Sequence, residues 1–163
     1  MFKKIVKQAA VFLFPIVLII SCQTNNQCDT ATESLVKVNF YVVDSVELAV
    51  TVSNISVYGL GNSDSLLYEN DTTRSSVLLP LSPNSETTEF VFEFENITEN
   101  IKFTYTTSTY LESMDCGFIT NYEIESVGYS KNIIDTIIII NGSVTTDNEE
   151  HIKLFFVNNN PNK

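Results

Sequence analysis

Three cysteines, one histidine and twenty acidic residues are the groups of this 163-residue chain that could take part in chemistry. A Ser-His-Asp or Cys-His mechanism would have to use His151, since the sequence contains no other histidine. By strand alternation His151 shares a face with Lys153, opposite Ile152 and Leu154, so we expect it to point to solvent. The same count excludes a zinc site built from several histidines. The sequence therefore predicts neither nucleophilic catalysis nor zinc binding.

Paired carboxylates are a second way in which this chain could do chemistry. Glu89, Glu93 and Glu95 share one face of a predicted strand and could present a row of carboxyl groups. Glycoside hydrolysis, however, needs two carboxyl groups about 5–10 Å apart on either side of a cleft. An open sheet face, with Lys102 and Thr104 expected opposite, is typical of a solvated surface. We therefore expect the chain not to be an enzyme.

Oxygen ligands for a metal ion are concentrated in one predicted loop, where Asp64, Glu69 and Asp71 lie near Asn62 and Asn70. Oxygen-rich loops can hold calcium. The alternating order of ligands that is typical of a calcium-binding loop is missing here. We expect no metal site and no cofactor.

Aspartate followed by a hydroxyl residue is a recurring pattern. Five of the seven aspartates precede Ser or Thr and then an apolar residue or Thr. The triplet resembles the O-glycosylation acceptor of exported Bacteroidota proteins, which implies five acceptors: Thr30, Ser45, Ser65, Thr72 and Thr136. Alternatively, these pairs form turns in which the side chains bond the backbone. Both explanations stay open.

Cys22 ends a segment that has the parts of a secretory signal peptide. Three lysines among the first seven residues precede a mostly apolar run over residues 9–20, and the small residue Ser21 stands before Cys22. A run of this length is shorter than the roughly 20 residues of a spanning helix. The ending resembles a bacterial lipobox, which implies removal of residues 1–21 and acylation of Cys22; an ordinary signal peptide with an incidental cysteine is the alternative. Two or more acyl chains anchor a protein stably.

Removal of the leader leaves an acidic chain with two further cysteines. Residues 22–163 retain six basic and all twenty acidic residues, a formal net charge of −14, which argues against nucleic-acid binding. In an exported chain, Cys28 and Cys116 predict a disulfide that closes a loop of 89 residues. A redox or metal role would need a C-x-x-C pair or a nearby histidine, and neither is present.

Alternation of apolar and polar residues dominates the chain from residue 34 onward, and helical periodicity is missing. The clearest runs predict strands with one buried face: Val36–Val42, Phe90–Phe94, Ile101–Tyr105, Tyr122–Ile124 and Ile152–Phe156. Weaker runs predict further strands at Leu48–Val52, Ile55–Leu60, Leu66–Tyr68 and Ser76–Leu81. The unbroken aliphatic run Ile137–Ile140 suits a central strand that is covered on both faces. Turns are expected between these runs, including one over 96–100.

Short strands separated by turn signals predict an all-β fold, an antiparallel β-sandwich of immunoglobulin-like size with about 8–9 strands. The predicted organisation is a signal peptide (1–21), a lipidated tether or linker (22–33), the sandwich domain (34–157) and a disordered tail (158–163). Apolar residues on the outward faces, Val91, Tyr41 and Phe155, are candidates for a contact surface.

Several short motifs resemble a family of short envelope lipoproteins of unknown function from Bacteroidota. The resemblance rests on one early cysteine, Cys28, and on four short segments and a tripeptide: Tyr58–Gly61, Val77–Leu81, Thr88–Phe92, Phe103–Tyr105 and Asp115-Cys116-Gly117. It implies a β-rich envelope lipoprotein with no assigned activity. It brings no catalytic residues to this chain.

The combined expectation is a non-catalytic protein, anchored to the membrane through its amino-terminal lipid, that binds or supports another envelope protein. An outer-membrane protein is the expected partner, and nucleic acid is not. The residues after Cys22 lack an early acidic run, which favours the periplasmic face of the outer membrane over the outer face. A glycan- or peptide-binding surface module is the alternative, because seven tyrosines could supply stacking platforms. A hydrolase that uses carboxylates alone is the third candidate.

Overall fold

A computed structural model describes Cys28 and residues 31–43 and 47–157. The predicted signal peptide, Cys22, most of the predicted tether and the predicted tail lie outside the described residues, as do Thr30 and Ser45. Within that part the backbone forms eleven strands and no helix: β1 (Leu35–Val43), β2 (Glu47–Ala49), β3 (Ile55–Gly59), β4 (Leu66–Asp71), β5 (Ser76–Pro80), β6 (Thr87–Phe94), β7 (Ile97–Ser113), β8 (Gly117–Tyr129), β9 (Ile134–Ile139), β10 (Ser143–Val144) and β11 (Ile152–Phe156).

The strands form two sheets, which confirms the predicted all-β sandwich. The first sheet has the order β2-β1-β11-β9, and β5 pairs with the first half of β1 while β2 pairs with the second half. The second sheet has the order β10-β8-β7-β6-β3-β4. Neighbouring strands are antiparallel except β1 and β11, which run parallel. The count exceeds 8–9 partly because β10, with two residues, is too short to show alternation; β2 overlaps the predicted strand Leu48–Val52.

A single core lies between the sheets and is built from the apolar positions that alternation selects. It contains Val36, Val38 and Phe40 of β1 and the three phenylalanines of β6, Phe90, Phe92 and Phe94. The sheets meet through rings such as Phe94 and Phe156, whose centroids are 5.4 Å apart in an edge-to-face arrangement. Six of the 22 buried residues of this core are phenylalanines, and burial of such large apolar rings contributes to the driving force for folding.

Two outward-facing residues that were expected at the surface are buried instead. Val91 is 5% exposed and Phe155 is 3% exposed, while Tyr41 is half-buried. Val91 lies between its cross-strand partners Tyr58 and Asn100. In the same way Phe155 is flanked by Tyr41, with ring centroids 5.5 Å apart, and by Thr136. Side chains of the neighbouring strands cover both residues, so the predicted contact surface at these positions is wrong.

The aliphatic run Ile137–Ile140 does not form a central strand. Its first three residues belong to β9, which lies at the edge of the first sheet and, among the strands that the structure describes, pairs only with β11. Ile138 and Ile140 are exposed. An unbroken aliphatic run therefore leaves apolar side chains in solvent at an open sheet edge, and the expectation of cover on both faces is wrong.

Candidate functional site

His151, the one imidazole, is buried, and the expectation that it faces solvent is wrong. It is 1% exposed and precedes β11, so the alternation of that strand does not govern it. The ring Nδ1 of His151 accepts a hydrogen bond from the Lys37 backbone N–H at 3.0 Å. The backbone N–H of His151 donates to the Lys37 carbonyl at 3.1 Å. Its carbonyl accepts from the N–H groups of Ile140 and Asn141. These bonds make His151 a structural link between β1 and the end of β9.

Acidification is expected to destabilise the protein through His151. Burial lowers the pKa of His151 below its ordinary value of 6.5; Lys37 lowers it further, and Glu149 and a Ser143 backbone hydrogen bond oppose that shift. A proton on Nδ1 would abolish its acceptor role toward Lys37. Since the unfolded chain binds the proton more readily, this stabilisation is complete above pH 6.5 and declines as pH falls toward the folded-state pKa. Melting temperature, measured from pH 7 to 5.5, should fall more in the native protein than in H151N. Equal slopes would contradict this.

Several of the acidic residues have polar or charged neighbours at the surface. Glu89 lies opposite Lys102, as expected, and the Tyr58 hydroxyl donates to Glu93 at 2.8 Å. Asp71 accepts from Arg74 at 2.6 Å, and this contact holds the pKa of the Asp71 carboxyl below its usual value. Among residues 28, 31–43 and 47–157, no three His, Cys, Asp or Glu side chains come together as a possible metal site.

The three Asp-Ser/Thr pairs within the described residues have different surroundings. Ser65 is exposed in the connection between β3 and β4, and Thr72 is exposed after β4. Asp71 also accepts from the Thr73 N–H at 3.5 Å, as expected of a turn formed by an aspartate side chain. Thr136 is half-buried in the edge strand β9. The turn explanation therefore suits Asp71, whereas Asp135-Thr136 lies within a strand.

The glycosylation prediction has a direct test in the intact mass of the protein purified from its native host. If the five hydroxyl residues carry sugars, the mass should exceed that of the acylated polypeptide by whole glycan units. Alanine replacement of Ser65 and Thr72, both exposed, should each remove one unit. A mass fully explained by the polypeptide and its acyl chains would leave turn formation as the explanation of the triplets.

Glu99 is a fully buried carboxylate that the sequence interpretation assigned to a turn. The turn between β6 and β7 consists of only two residues, Glu95 and Asn96, so β7 already begins at Ile97 and contains Glu99. Its Oε1 accepts from the N–H groups of Ile133 and, at 3.1 Å, of Ile134, and its Oε2 accepts from the Ser130 hydroxyl. Since β7 and β9 belong to different sheets, Glu99 fastens the two sheets together.

The most unusual feature of the second sheet is a long hairpin of β7 and β8. Pairing of β6 with β7 ends at Thr104, and β10 meets β8 only at residues 122 and 123. Residues 108–121, which we call the hairpin arm, therefore pair only with one another among the described strands. Gly117 has a φ of +76° in the turn of the arm, a conformation that favours glycine. The hydroxyls of Thr109 and Thr120 are 2.9 Å apart across it.

A disulfide joins Cys116, in the turn of the arm, to Cys28, as predicted. The two Cα atoms are 5.0 Å apart. At the base of the arm, the Ser34 hydroxyl donates to the Asn121 side-chain oxygen at 3.1 Å. The segment that precedes β1 therefore meets the arm at its tip through Cys28 and at its base through Ser34.

Exposed apolar residues are concentrated on this arm. Met114 and Phe118 are 89% and 72% exposed, the two highest values among the large apolar side chains of the described residues. Tyr110 and Leu111 are also exposed, and Leu111 is the direct cross-strand partner of Phe118. Met114 and Phe118 lie two residues before and two residues after Cys116. Sequence reasoning missed both, although their position on either side of a predicted disulfide cysteine was a usable signal.

An open groove of about 350 Å³ lies beside the arm, between the arm and the segment that precedes β1. Its lining comes from the segment before β1, the end of β5 and the arm itself, and includes Ser34, Leu35, Leu81 and Phe118. The tyrosines do not form an exposed row: Tyr110 is the exposed one, Tyr105 and Tyr122 are buried, and the other four are partly covered. This arrangement gives little support to stacking of a glycan on a tyrosine platform.

The geometry defines an all-β, two-sheet domain whose projecting arm is tied by a disulfide to the amino-terminal segment. The chain belongs to a family of unknown function, DUF6452, which matches residues 54–156. The match contains β3 to β11 and the entire arm. No curated protein and no solved structure matches the chain. Within the described ranges, no helix has the length and apolar character needed to cross a membrane.

Proposed function

We propose that this protein is a non-catalytic lipoprotein of the Bacteroidota cell envelope. In this proposal, acyl chains on Cys22 anchor it to the outer membrane, with the domain on the periplasmic face, where it binds another envelope protein. The leader pattern before Cys22 supports the anchor, and membership of a family of unknown function is compatible with it.

The observation that carries the proposal is the position of the disulfide. Cys28 lies six residues after Cys22 and is bonded to Cys116 of the folded domain. An extended chain spans at most about 3.6 Å per residue, so six residues reach about 22 Å. The bond thus supports a domain that is held close to the bilayer at one defined point, which suits a protein that must meet a membrane-embedded partner.

Exposed apolar side chains at both open sheet edges support a role in binding protein. Ile138 and Ile140 are exposed at the β9 edge, and Leu66 and Leu67 are exposed on β4 at the edge of the other sheet. An open edge offers unpaired backbone groups to which a partner strand can add. These edges replace Val91 and Phe155 as the candidate protein contacts.

The anchor is tested by comparing the native protein with C22A in cells fractionated into membrane and soluble material. The native protein should be found with membranes and carry the mass of its acyl chains, whereas C22A should lose both. T24A, which changes a neighbouring residue and leaves the acceptor intact, should behave like the native protein. A native protein that is soluble and unacylated would refute the anchor.

The partner is tested by chemical crosslinking in native membranes, followed by purification of the protein and identification of what is attached. We expect one abundant outer-membrane protein to be recovered, and protease added to whole cells should leave the domain intact if it faces the periplasm. Recovery of no protein from membranes that retain the acylated chain would refute a protein-binding role.

A further inference from the structure

The tip of the hairpin arm and the proposed anchor lie at the same end of the molecule. Cys28 is bonded to Cys116 at the tip, while the following segment reaches the base of the arm at Ser34 before it enters β1. The chain on the amino-terminal side of Cys28, which carries the proposed anchor, is therefore joined to the domain at the tip. Cys22 is six positions before Cys28 and an extended chain spans at most about 3.6 Å per residue, so the tip lies within about 30 Å of the acylated residue.

The opposite end of the domain is much farther from the anchor. Strand β7 has 17 residues and runs from the turn at Glu95 and Asn96 to the tip. At about 3.3 Å per residue, its two ends are separated by about 50 Å. The tether therefore limits how far the tip can lie from the acylated residue and sets no such limit on the far end of the sandwich.

The side chains at the tip have the chemistry of the membrane interface. Met114 and Phe118, the most exposed large apolar residues described, flank the bonded Cys116 on either side. Tyr110 is exposed on the same arm, and tyrosine is enriched where lipid meets water. Glu112 and Asp115 are exposed beside them and would be repelled by an anionic surface, so the chemistry fits zwitterionic lipid.

We infer that the tip of the hairpin arm inserts into the lipid interface, with Met114 and Phe118 among the acyl chains. The inference rests on the proposed anchor at Cys22 and deepens it. Acyl chains and a nearby apolar patch act as two signals on one membrane, and two signals hold a protein more firmly than one. The contact also fixes the orientation of the domain, with strand β7 directed away from the bilayer and the exposed edges at β4 and β9 left free for the partner.

The absence of tryptophan from the sequence permits a direct test with single tryptophan reporters. The full-length acylated protein would be reconstituted into phosphatidylcholine vesicles with brominated acyl chains, which quench tryptophan that enters the hydrocarbon. F118W places the reporter at the tip. V157W is the matched control, because Val157 is also exposed but its N–H donates to the Ile133 carbonyl at the far end of the sandwich. Melting temperatures would establish that both variants are folded.

We expect F118W to lose most of its emission and to shift to shorter wavelength, while V157W keeps its emission. An acylated protein in which neither reporter is quenched would overturn the lipid contact and leave the anchor intact. Equal quenching of both would overturn the orientation. If F118W is shielded from aqueous acrylamide in native membranes but is not quenched by brominated lipid, the tip contacts a protein and not lipid, and the inference is overturned. Intact mass tests the anchor separately, since an unacylated protein refutes the proposed function whatever the fluorescence shows.

Discussion

Replacement of both bonded cysteines, in the double variant C28S/C116S, should lower the free energy of unfolding by about 4 kcal/mol. The bond closes a loop of 89 residues, and opening it restores conformational freedom to the unfolded chain. The loop contains all of β7 and every strand before it, so its release affects the unfolded state of most of the domain. Urea denaturation, followed by circular dichroism or intrinsic fluorescence, measures the change.

Reduction of the native protein supplies the control for this variant. A reducing agent should shift the denaturation midpoint of the native protein toward that of C28S/C116S and should leave the double variant unchanged. Because Cys28 also joins the amino-terminal segment to the arm, reduction should make that segment more accessible to protease. A double variant within about 1 kcal/mol of the native protein would show that the loop contributes little to the unfolded-state entropy.

Strand alternation predicted which residues face the core but not which outward residues are covered. The two-residue alternation of apolar and polar side chains correctly predicted burial of Val36, Phe92 and Phe103. Val91 and Phe155 are buried as well, because each lies on a strand with neighbours on both sides whose side chains cover it. Neighbouring strands are set by sheet order, and a single sequence carries little information on sheet order.

The same limit explains the errors at the edges of the sheets. Ile137–Ile140 has the composition of a central strand but forms an edge, and nothing within the run reveals where the next strand lies. The parallel pairing of β1 with β11 joins residues more than 100 positions apart, and hairpin signals cannot predict it. The disulfide was predictable because cysteines of an exported chain are expected to pair, and the assignment of Cys22 to acylation leaves only two others. The arm was not, because its length depends on where β6 begins.

Polar residues inside the fold were the hardest to predict, and Glu99 illustrates why. The alternation that places Ile101 and Phe103 in the core also places Glu99, two residues earlier, on the inward face. A charged residue at that position suggested a turn, since acidic side chains are rarely buried without partners. The partners of Glu99 are backbone N–H groups some 35 residues later in the chain, which only the folded structure brings to it.

Truncation of Glu99 should be among the most damaging single substitutions in this protein. In E99A the N–H groups of Ile133 and Ile134 lose their hydrogen-bond acceptor, and the Ser130 hydroxyl also loses its acceptor. A buried donor left without a partner costs about 1–3 kcal/mol. Since Ile134 is fully buried and Glu99 is 0% exposed, water replaces these bonds poorly, and we expect a loss of about 3 kcal/mol in the free energy of unfolding.

Two control variants separate the hydrogen bonds from the charge in this prediction. E99Q keeps an oxygen that can accept from Ile133 and Ile134 and offers an amide to Ser130, so it should retain most of the stability that E99A loses. E125A removes an exposed carboxylate from β8 and should change stability by no more than about 0.5 kcal/mol. If the hydrogen bonds of Glu99 hold the two sheets together, hydrogen exchange in E99A should increase first at β9 and at the connection that precedes it. An E99A protein as stable as E125A would show that the buried carboxylate costs as much in desolvation as its three bonds contribute.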